Sequence, residues 1–282
     1  MAVKLVVDSS SDINSERAKE LGVTMLPILI NFGQEEFMDG VNLTSEEFYD
    51  KLVKSAELAK TSMINAYRFE EVFEEYTKNG DEVVAIILSS GLSGTFDAAL
   101  SASEKFRDKV FVVDSLSASA GIKLLVEYAI TLISNGKTAK EIFEILEEKK
   151  RKIQIFAMVD TLKYLKKGGR VSPLVAFAGE LMGIKPMVSL IDGKVELIGK
   201  VIGLKKAISY INNEIAKVGG IDFSMPFYAL YSGNDQTKIS NYINDNAKNW
   251  DCGAESIGKN CIGATIGTHV GPGAIGIAFF SK

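Results

Sequence analysis

Three loops rich in hydroxyl groups and carboxylates follow short apolar segments in the first half of the chain. They span residues 8–12 (DSSSD), 89–95 (SSGLSGT) and 113–117 (VDSLS). In a parallel α/β sheet, ligands bind outside the carboxyl ends of the strands, so these loops should meet at one edge. Taken singly, each loop is better explained by helix capping, which is the usual role of Ser and Asp before a helix.

The loop at residues 89–95 has a further property, because it places small residues and hydroxyls where a helix should begin. The free N–H groups of a helix N-terminus attract anions. None of the three loops contains Lys, Arg or His. This composition suits a carboxylate or a neutral polar group better than a triphosphate.

Two further residues are candidates for a binding site. His269 is the one histidine of the chain and lies between glycines. We expect it on an irregular turn before a buried strand, where backbone can approach a ligand closely; a structural role is an equally good interpretation. Arg170 follows a basic segment, residues 166–169. It suits an anion or partner contact, or a basic helix C-terminus favoured by the helix dipole.

The same residues could also form the active site of an enzyme, a serine hydrolase acting on acyl esters, and this is the main alternative to a binding protein. In it, Ser93 would be the nucleophile, His269 the base, and Asp8 or Asp114 the group that orients the base. The segment around Ser93 departs from the nucleophile-elbow pattern, because Thr95 stands at the position of the last glycine.

Composition indicates a globular protein and excludes several classes of partner. Apolar residues make up 46% of the 282 residues and charged residues 24%, and the net charge is −4. The negative net charge leads us to expect no nucleic-acid partner. We also expect no metal site. The GxGxxG at residues 271–276 lacks a βαβ context, so we expect no dinucleotide cofactor. The mean hydropathy of +0.12 indicates a large core or an apolar cavity.

The sequence also predicts where the protein resides. The longest stretch without Asp, Glu, Lys or Arg, residues 260–281, contains glycines and a proline. It predicts strand, loop and strand rather than a membrane-spanning helix. The apolar run at the N-terminus is too short for a signal peptide. We therefore expect a cytoplasmic protein with no stable insertion in a membrane.

The elements that position these residues alternate between strand and helix. Continuous apolar strands separated by helices predict an α/β fold with a parallel sheet covered on both faces. In the second half, Asp192-Gly193 predicts a β-hairpin among helices. We expect two domains: an N-terminal α/β/α domain at residues 1–160 and a smaller α+β domain at residues 161–282. Residues 25–30 are predicted as one strand.

The motifs, taken together and in order, resemble the DegV family of bacterial fatty-acid-binding proteins. The matching segments are residues 8–12, 61–62, 89–95, 113–115, 165–170 and 268–273. The resemblance covers essentially the whole chain. It implies two α/β domains with a fatty acid between them, a bound fatty acid in place of a cofactor, and no catalytic residue of the chain's own.

The resemblance also implies roles for particular residues and a partner. Thr61, Ser93, Gly94 and His269 match the family's carboxylate site for a long-chain fatty acid. Arg170 matches a phosphate or partner contact. In members studied as fatty-acid kinase subunits, the protein presents the carboxylate to a separate kinase that uses ATP. His269 and Arg170 would then steady the charge of the acyl phosphate.

Two segments depart from the family pattern. Residues 63–65 (MIN) stand where a proline often follows the Thr-Ser pair, which is compatible with ligand binding. Ile202 and Leu204 stand where many members have arginines after the hairpin, so the sequence does not decide whether a kinase docks. We also predict that the acyl tunnel is walled by residues 25–30 and by a helix at residues 174–182, with Ala178 facing the tunnel.

Overall fold

The fold is known from a computed structural model, which describes residues 2–170, 183–250 and 253–282. The strands are β1 (Val3–Asp8), β2 (Val23–Leu26), β3 (Leu29–Phe32), β4 (Glu35–Met38), β5 (Lys60–Ser62), β6 (Glu82–Ile87), β7 (Val110–Asp114), β8 (Ile153–Met158), β9 (Ile184–Ile191), β10 (Lys194–Ile202), β11 (Phe227–Tyr231), β12 (Gly258–Cys261) and β13 (Ile275–Phe280). The helices are α1 (Ser15–Leu21), α2 (Ser45–Lys54), α3 (Ala66–Lys78), α4 (Thr95–Ser103), α5 (Ala120–Ser134), α6 (Ala139–Lys149), α7 (Lys163–Gly168), α8 (Leu204–Lys217), α9 (Thr237–Asp245) and α10 (Ala264–Val270).

A parallel sheet forms the centre of the N-terminal half, in the order β2-β1-β6-β7. Its strands are apolar along almost their whole length, as expected for a sheet buried on both faces. Because the strands run the same way, the loops that follow β1, β6 and β7 meet at one edge. Those loops are the three hydroxyl-rich segments predicted to lie together.

A small antiparallel sheet, in the order β4-β3-β5, lies beside that edge. It corrects the prediction of a single strand at residues 25–30. Pro27 has no N–H to donate to a sheet and its ring fixes the backbone, so the chain leaves β2 there and starts β3 in the other sheet. Helix α2 begins with the capping box of Thr44 and Glu47.

A mixed sheet of six strands forms the C-terminal half, in the order β10-β9-β8-β13-β11-β12. Strands β11 and β12 are parallel, and the other neighbours are antiparallel. The Asp192-Gly193 turn connects β9 to β10, as predicted. Strand β8 belongs to this sheet, although the proposed boundary near residue 160 places it with the N-terminal domain.

Helix α5 lies between the two large sheets and contacts strands of both. It is apolar on nearly every face because both sides of it are covered; its buried residues include Ile122, Leu124, Leu125, Val126 and Ala129. Strand β8 shows the same layering, since Ile155 packs toward α5 while Phe156 packs toward α8 and α9. The predicted α/β fold with a parallel sheet and a second mixed unit is confirmed.

The prediction of strand, loop and strand over residues 260–281, with His269 on an irregular turn, is wrong in its middle part, because that part contains helix α10. Its glycines disfavour a helix locally, and contacts with distant carboxylates, described below, offset that cost. The predicted helix at residues 174–182, with Ala178, lies outside the described residues.

Candidate functional site

A cavity of about 340 Å³ lies between the edge of the parallel sheet and the face of the six-stranded sheet. This volume falls within the range of about 300–1,000 Å³ common for small-molecule sites. Strand β8, strand β9 and helix α10 supply much of its apolar wall. The apolar lining residues are Ile28, Met63, Leu88, Leu92, Ala118, Ile155, Ala157, Val159, Leu165, Val188, Leu190, Val195, Leu230, Ile262, Ile266 and Val270.

The periodicity of strands and helices explains this wall. Ala157 of β8 is paired with Val188 of β9, so both side chains stand on the same face of the sheet. On α10, Ile266, His269 and Val270 are three and four residues apart and share one face of the helix. The apolar wall therefore continues into a polar region at the end of the helix.

All five residues that the sequence singles out line this one cavity. Thr61 lies on β5, Ser93 and Gly94 lie between β6 and α4, His269 lies on α10, and Arg170 follows α7. The fold therefore brings together side chains from segments separated by more than 200 residues along the chain. Their roles toward a ligand stay a prediction.

His269 lies in the last turn of α10, not on an irregular turn as the sequence suggests. Its Nε2 atom is 3.2 Å from Oγ1 of Thr61, and its buried Nδ1 atom has no hydrogen-bond partner among the described residues. Burial, reinforced by the charge of Arg170, lowers the pKa of His269 to about 4. The imidazole is therefore neutral at physiological pH.

Close packing holds that ring in place. A Cβ atom on Gly168 would lie 2.1 Å from Nδ1 of His269, so only glycine fits there without a shift of the ring. Arg170 continues from the same turn, and its Nε donates to the carbonyl oxygen of Leu92 at 3.3 Å. The end of α7 thus joins the histidine to the loop that carries Ser93.

The Ser93 hydroxyl is oriented by the start of α4. Its Oγ accepts a hydrogen bond from the N–H of Thr95 at 3.2 Å and lies 2.9 Å from Oγ1 of Thr95. Thr95 is buried, and sequence reasoning assigned it no role. Gly94 leaves room for Met63, whose Sδ would lie 3.0 Å from a Cβ at that position. The cavity can therefore offer hydroxyl donors at this end without burying a cation.

Three carboxyl groups hold the cavity together from outside it; Asp8 and Asp39 are buried and Asp12 is half-buried. Oδ1 of Asp12 accepts from the N–H of Gly263 at 2.8 Å, and Oδ2 of Asp39 accepts from the N–H of Thr265 at 3.0 Å. Both bonds satisfy amide groups at the start of α10, where a negative charge is favourable. Burial raises the pKa of Asp39 and raises that of Asp12 to about 6.

Asp8 is the third of these groups, and burial raises its pKa as well. It accepts from the N–H groups of Ser10 at 2.9 Å and Leu88 at 2.8 Å. Sequence analysis named Asp8 and Asp12 within a loop but missed Asp39, which no local pattern marks. Because Asp8 accepts a hydrogen bond from the N–H of Ser10, the helix-capping interpretation applies to the first loop.

The geometry does not assemble a hydrolase triad. Asp8 contacts Ser10 and Leu88, and Asp114 accepts from the N–H and hydroxyl of Ser90. His269 makes its hydrogen bond with Thr61, and neither carboxylate orients its ring.

Within the described ranges, no group of three or more His, Cys, Asp or Glu side chains is arranged to hold a metal ion. No helix in those ranges is long and apolar enough to cross a membrane.

The fold and the cavity define a class of α/β proteins with an apolar pocket between two large sheets. The family model for uncharacterised proteins of the DegV family matches residues 2–282. The chain therefore belongs to the DegV family, and the predicted resemblance is confirmed.

Relatives cover the whole chain. A DegV domain-containing protein from Caldanaerobacter subterraneus is 34% identical over 281 residues, which are 99% of each chain. A fatty-acid-binding DegV family protein from Thermus thermophilus superposes with a TM-score of 0.88 at 30% identity, covering 100% of both chains. DegV from Bacillus subtilis, a fatty acid binding protein, gives a TM-score of 0.84 at 30% identity, again over 100% of both chains.

Proposed function

We propose that this protein binds one long-chain fatty acid, with the acyl chain in the cavity and the carboxylate at its polar end. The observation that carries the proposal is the cavity itself: an apolar wall that ends at Thr61, Ser93, Gly94 and His269. The fatty-acid binding of the relatives from T. thermophilus and B. subtilis supports it.

The apolar wall supplies the driving force for binding. Burying about 14 methylene groups at about 0.8 kcal/mol each offers roughly 11 kcal/mol before the cost of association is subtracted. The carboxylate then needs donors that compensate for its lost hydration. The hydroxyls of Ser93 and Thr61 are such donors, and hydrogen bonds to a charged acceptor contribute about 1.5–3 kcal/mol each.

Neutral donors have a chemical advantage at this position. They hold the carboxylate without forming a buried ion pair, and they leave one of its oxygens able to attack phosphorus. Arg170 brings the nearby positive charge, on the exposed side of the site. This arrangement suits a protein that presents the carboxylate to a separate fatty-acid kinase, with ATP and its phosphoryl transfer supplied by that partner.

The binding proposal is tested by titrating palmitate and oleate into the delipidated protein. We expect Ser93→Ala and Thr61→Val to weaken binding about ten- to a hundredfold, because each removes a donor to a charged acceptor. Ser209→Ala is the matched control, since Ser209 is exposed, lies outside the cavity and donates its hydroxyl to the carbonyl of Lys205 at 3.1 Å. Parent-like affinity in both site variants would contradict the carboxylate assignment. Native mass spectrometry of gently purified protein identifies the acyl chain that it carries.

The kinase proposal needs a separate measurement. With a fatty-acid kinase, Arg170→Ala should reduce acyl-phosphate formation while leaving fatty-acid affinity largely intact; Lys167→Ala is the control of the same charge. Ile202 is 66% exposed at the end of β10, where it can contact a partner, whereas Leu204 packs against the core of the second sheet. If the loaded parent supports no kinase, the presentation role is wrong and binding stands alone.

A further inference from the structure

The turn of the β9–β10 hairpin touches the loop that carries Ser93. The hydroxyl of Ser89 donates to the carbonyl oxygen of Gly193 at 2.7 Å, across the gap between the two large sheets. Ser89 is fully buried. The contact therefore joins the second sheet directly to the polar end of the cavity.

Every polar group of Ser89 takes part in fixing this loop. Its N–H donates to the carbonyl of Ser117 at 3.1 Å, and its own carbonyl accepts from the N–H groups of Leu92 at 2.9 Å and Ser93 at 3.2 Å. Its Oγ also accepts from the N–H of Gly91 at 3.2 Å. The position of Ser93 thus depends on where Ser89 is held.

The packing at this contact leaves no free space. A Cβ on Gly193 would lie 2.3 Å from Oγ of Ser89, and a Cβ on Gly91 would lie 2.7 Å from the carbonyl oxygen of Gly193. Gly193 also has a φ of +77°, which favours glycine. The loop and the hairpin turn approach as closely as backbone atoms allow, so a shift of one moves the other.

We propose that Ser89, held by the hairpin turn at Gly193, is the positioning residue for the carboxylate-binding loop. The second sheet thereby sets the place of the Ser93 hydroxyl, although the groups that it contributes to the cavity wall are apolar apart from Ser189. This inference rests on the proposed role of Ser93 and adds to it a residue that touches no ligand.

The test compares a fatty acid with the corresponding alcohol, which has the same tail and no charge. Affinities of palmitate and 1-hexadecanol are measured for the parent, Ser89→Ala and Gly193→Ala. We expect both variants to lose about tenfold in palmitate affinity and less than about threefold for the alcohol, because a charged acceptor depends more on a well-placed donor. Gly136→Ala is the matched control, since Gly136 has a φ of +76° and open space around it.

A double-mutant cycle isolates the route through Ser93. In the Ser93→Ala background, Ser89→Ala should cause less than about a twofold further loss of palmitate affinity. Equal losses for acid and alcohol, no loss in either variant, or additive losses in the cycle would each overturn the proposal. If Ser89→Ala does not fold, Gly193→Ala measured against Gly136→Ala decides the question. A parent that binds no palmitate, or a Ser93→Ala variant that binds like the parent, would instead refute the proposed function.

Discussion

The hydrogen bond between His269 and Thr61 determines how many donors the cavity offers a carboxylate. A neutral imidazole carries one proton, on either Nδ1 or Nε2. Nδ1 is buried against Gly168 and finds no acceptor in the part of the chain that the structure describes, and an unpaired N–H is costlier to bury than an unused lone pair. The proton therefore belongs on Nε2, which donates to Thr61 and leaves the hydroxyl hydrogen of Thr61 for a ligand.

The low pKa of His269 makes this arrangement measurable. Nitrogen NMR should show a single imidazole that stays neutral, protonated at Nε2, down to about pH 4. One histidine in the chain makes the assignment unambiguous. The spectrum of an Nδ1–H tautomer, or a midpoint near the ordinary value of 6.5, would contradict the geometry.

The same shift affects stability with a defined sign. Between pH 4 and 6.5 the unfolded state binds more protons at His269 than the folded state does. The free energy of unfolding should therefore rise with pH in this window relative to that of His269→Gln, which does not titrate.

At the scale of elements, helix α10 depends on residues that are distant in sequence. It has seven residues, too few to be stable alone, and Asp12 and Asp39 satisfy amide groups at its start. The hydroxyl of Thr268 bonds back to the carbonyl of Ala264 within the helix. Because α10 carries both apolar and polar lining residues, these carboxyl groups support the cavity without touching it.

The raised pKa of Asp12 predicts a pH dependence opposite to that of His269. Its folded value of about 6 exceeds the unfolded value of 3.8, so the folded state binds more protons between them. The contribution of Asp12 to the free energy of unfolding should fall by about 2 kcal/mol from pH 4 to 7. Urea unfolding measures this: the free energy of unfolding of the parent minus that of Asp12→Asn should fall as the pH rises from 4 to 7. Asp235→Asn is the control, because hydrogen bonds from the hydroxyl and N–H of Thr237 lower the pKa of Asp235, a shift opposite in direction to that of Asp12.

The contact between α7 and α10 gives a second prediction at this scale. Gly168→Ala should displace the His269 ring and weaken fatty-acid binding about tenfold, because the hydrogen bond to Thr61 is lost. Gly169→Ala is the neighbouring control: Gly169 has a φ of +68°, and no atom of the described residues would lie within 4 Å of its Cβ, so we expect about 1 kcal/mol of destabilisation and little change in affinity. Equal fatty-acid affinities for the two variants would show that the position of the His269 ring does not affect binding.

At the scale of the whole molecule, the cavity belongs to neither sheet alone. Its volume is set by side chains such as Ala157 and Ile155 on β8. Ala157→Leu should fill part of the space and shift binding from C18 toward C12 acids, whereas Ile155→Ala should shift it toward longer chains. Competition with acids of graded length measures both variants. Shifts in the same direction, or none, would place the acyl chain elsewhere.

Much of this arrangement could be predicted from sequence, and the exceptions have a common cause. The loop containing Ser93 is predictable because its residues lie next to one another between a clear strand and a clear helix. Helix α10 was missed because its stabilising partners, Asp12 and Asp39, lie more than 220 residues away. The Ser89–Gly193 contact was missed for the same reason, since both residues look like ordinary turn residues.

The strand order of the six-stranded sheet has a consequence for the chain as the ribosome makes it. Strand β13 lies between β8 and β11, yet it is synthesised after both. Until β13 emerges, β8 and β11 each expose an unpaired edge, and such edges invite association with other chains. The sheet closes only when residues 275–280 insert between strands whose paired residues lie 44 to 127 positions earlier, and contacts between residues so far apart in sequence slow folding in general. The edges of β8 and β11 therefore stay open to association with other chains until residues 275–280 are in place.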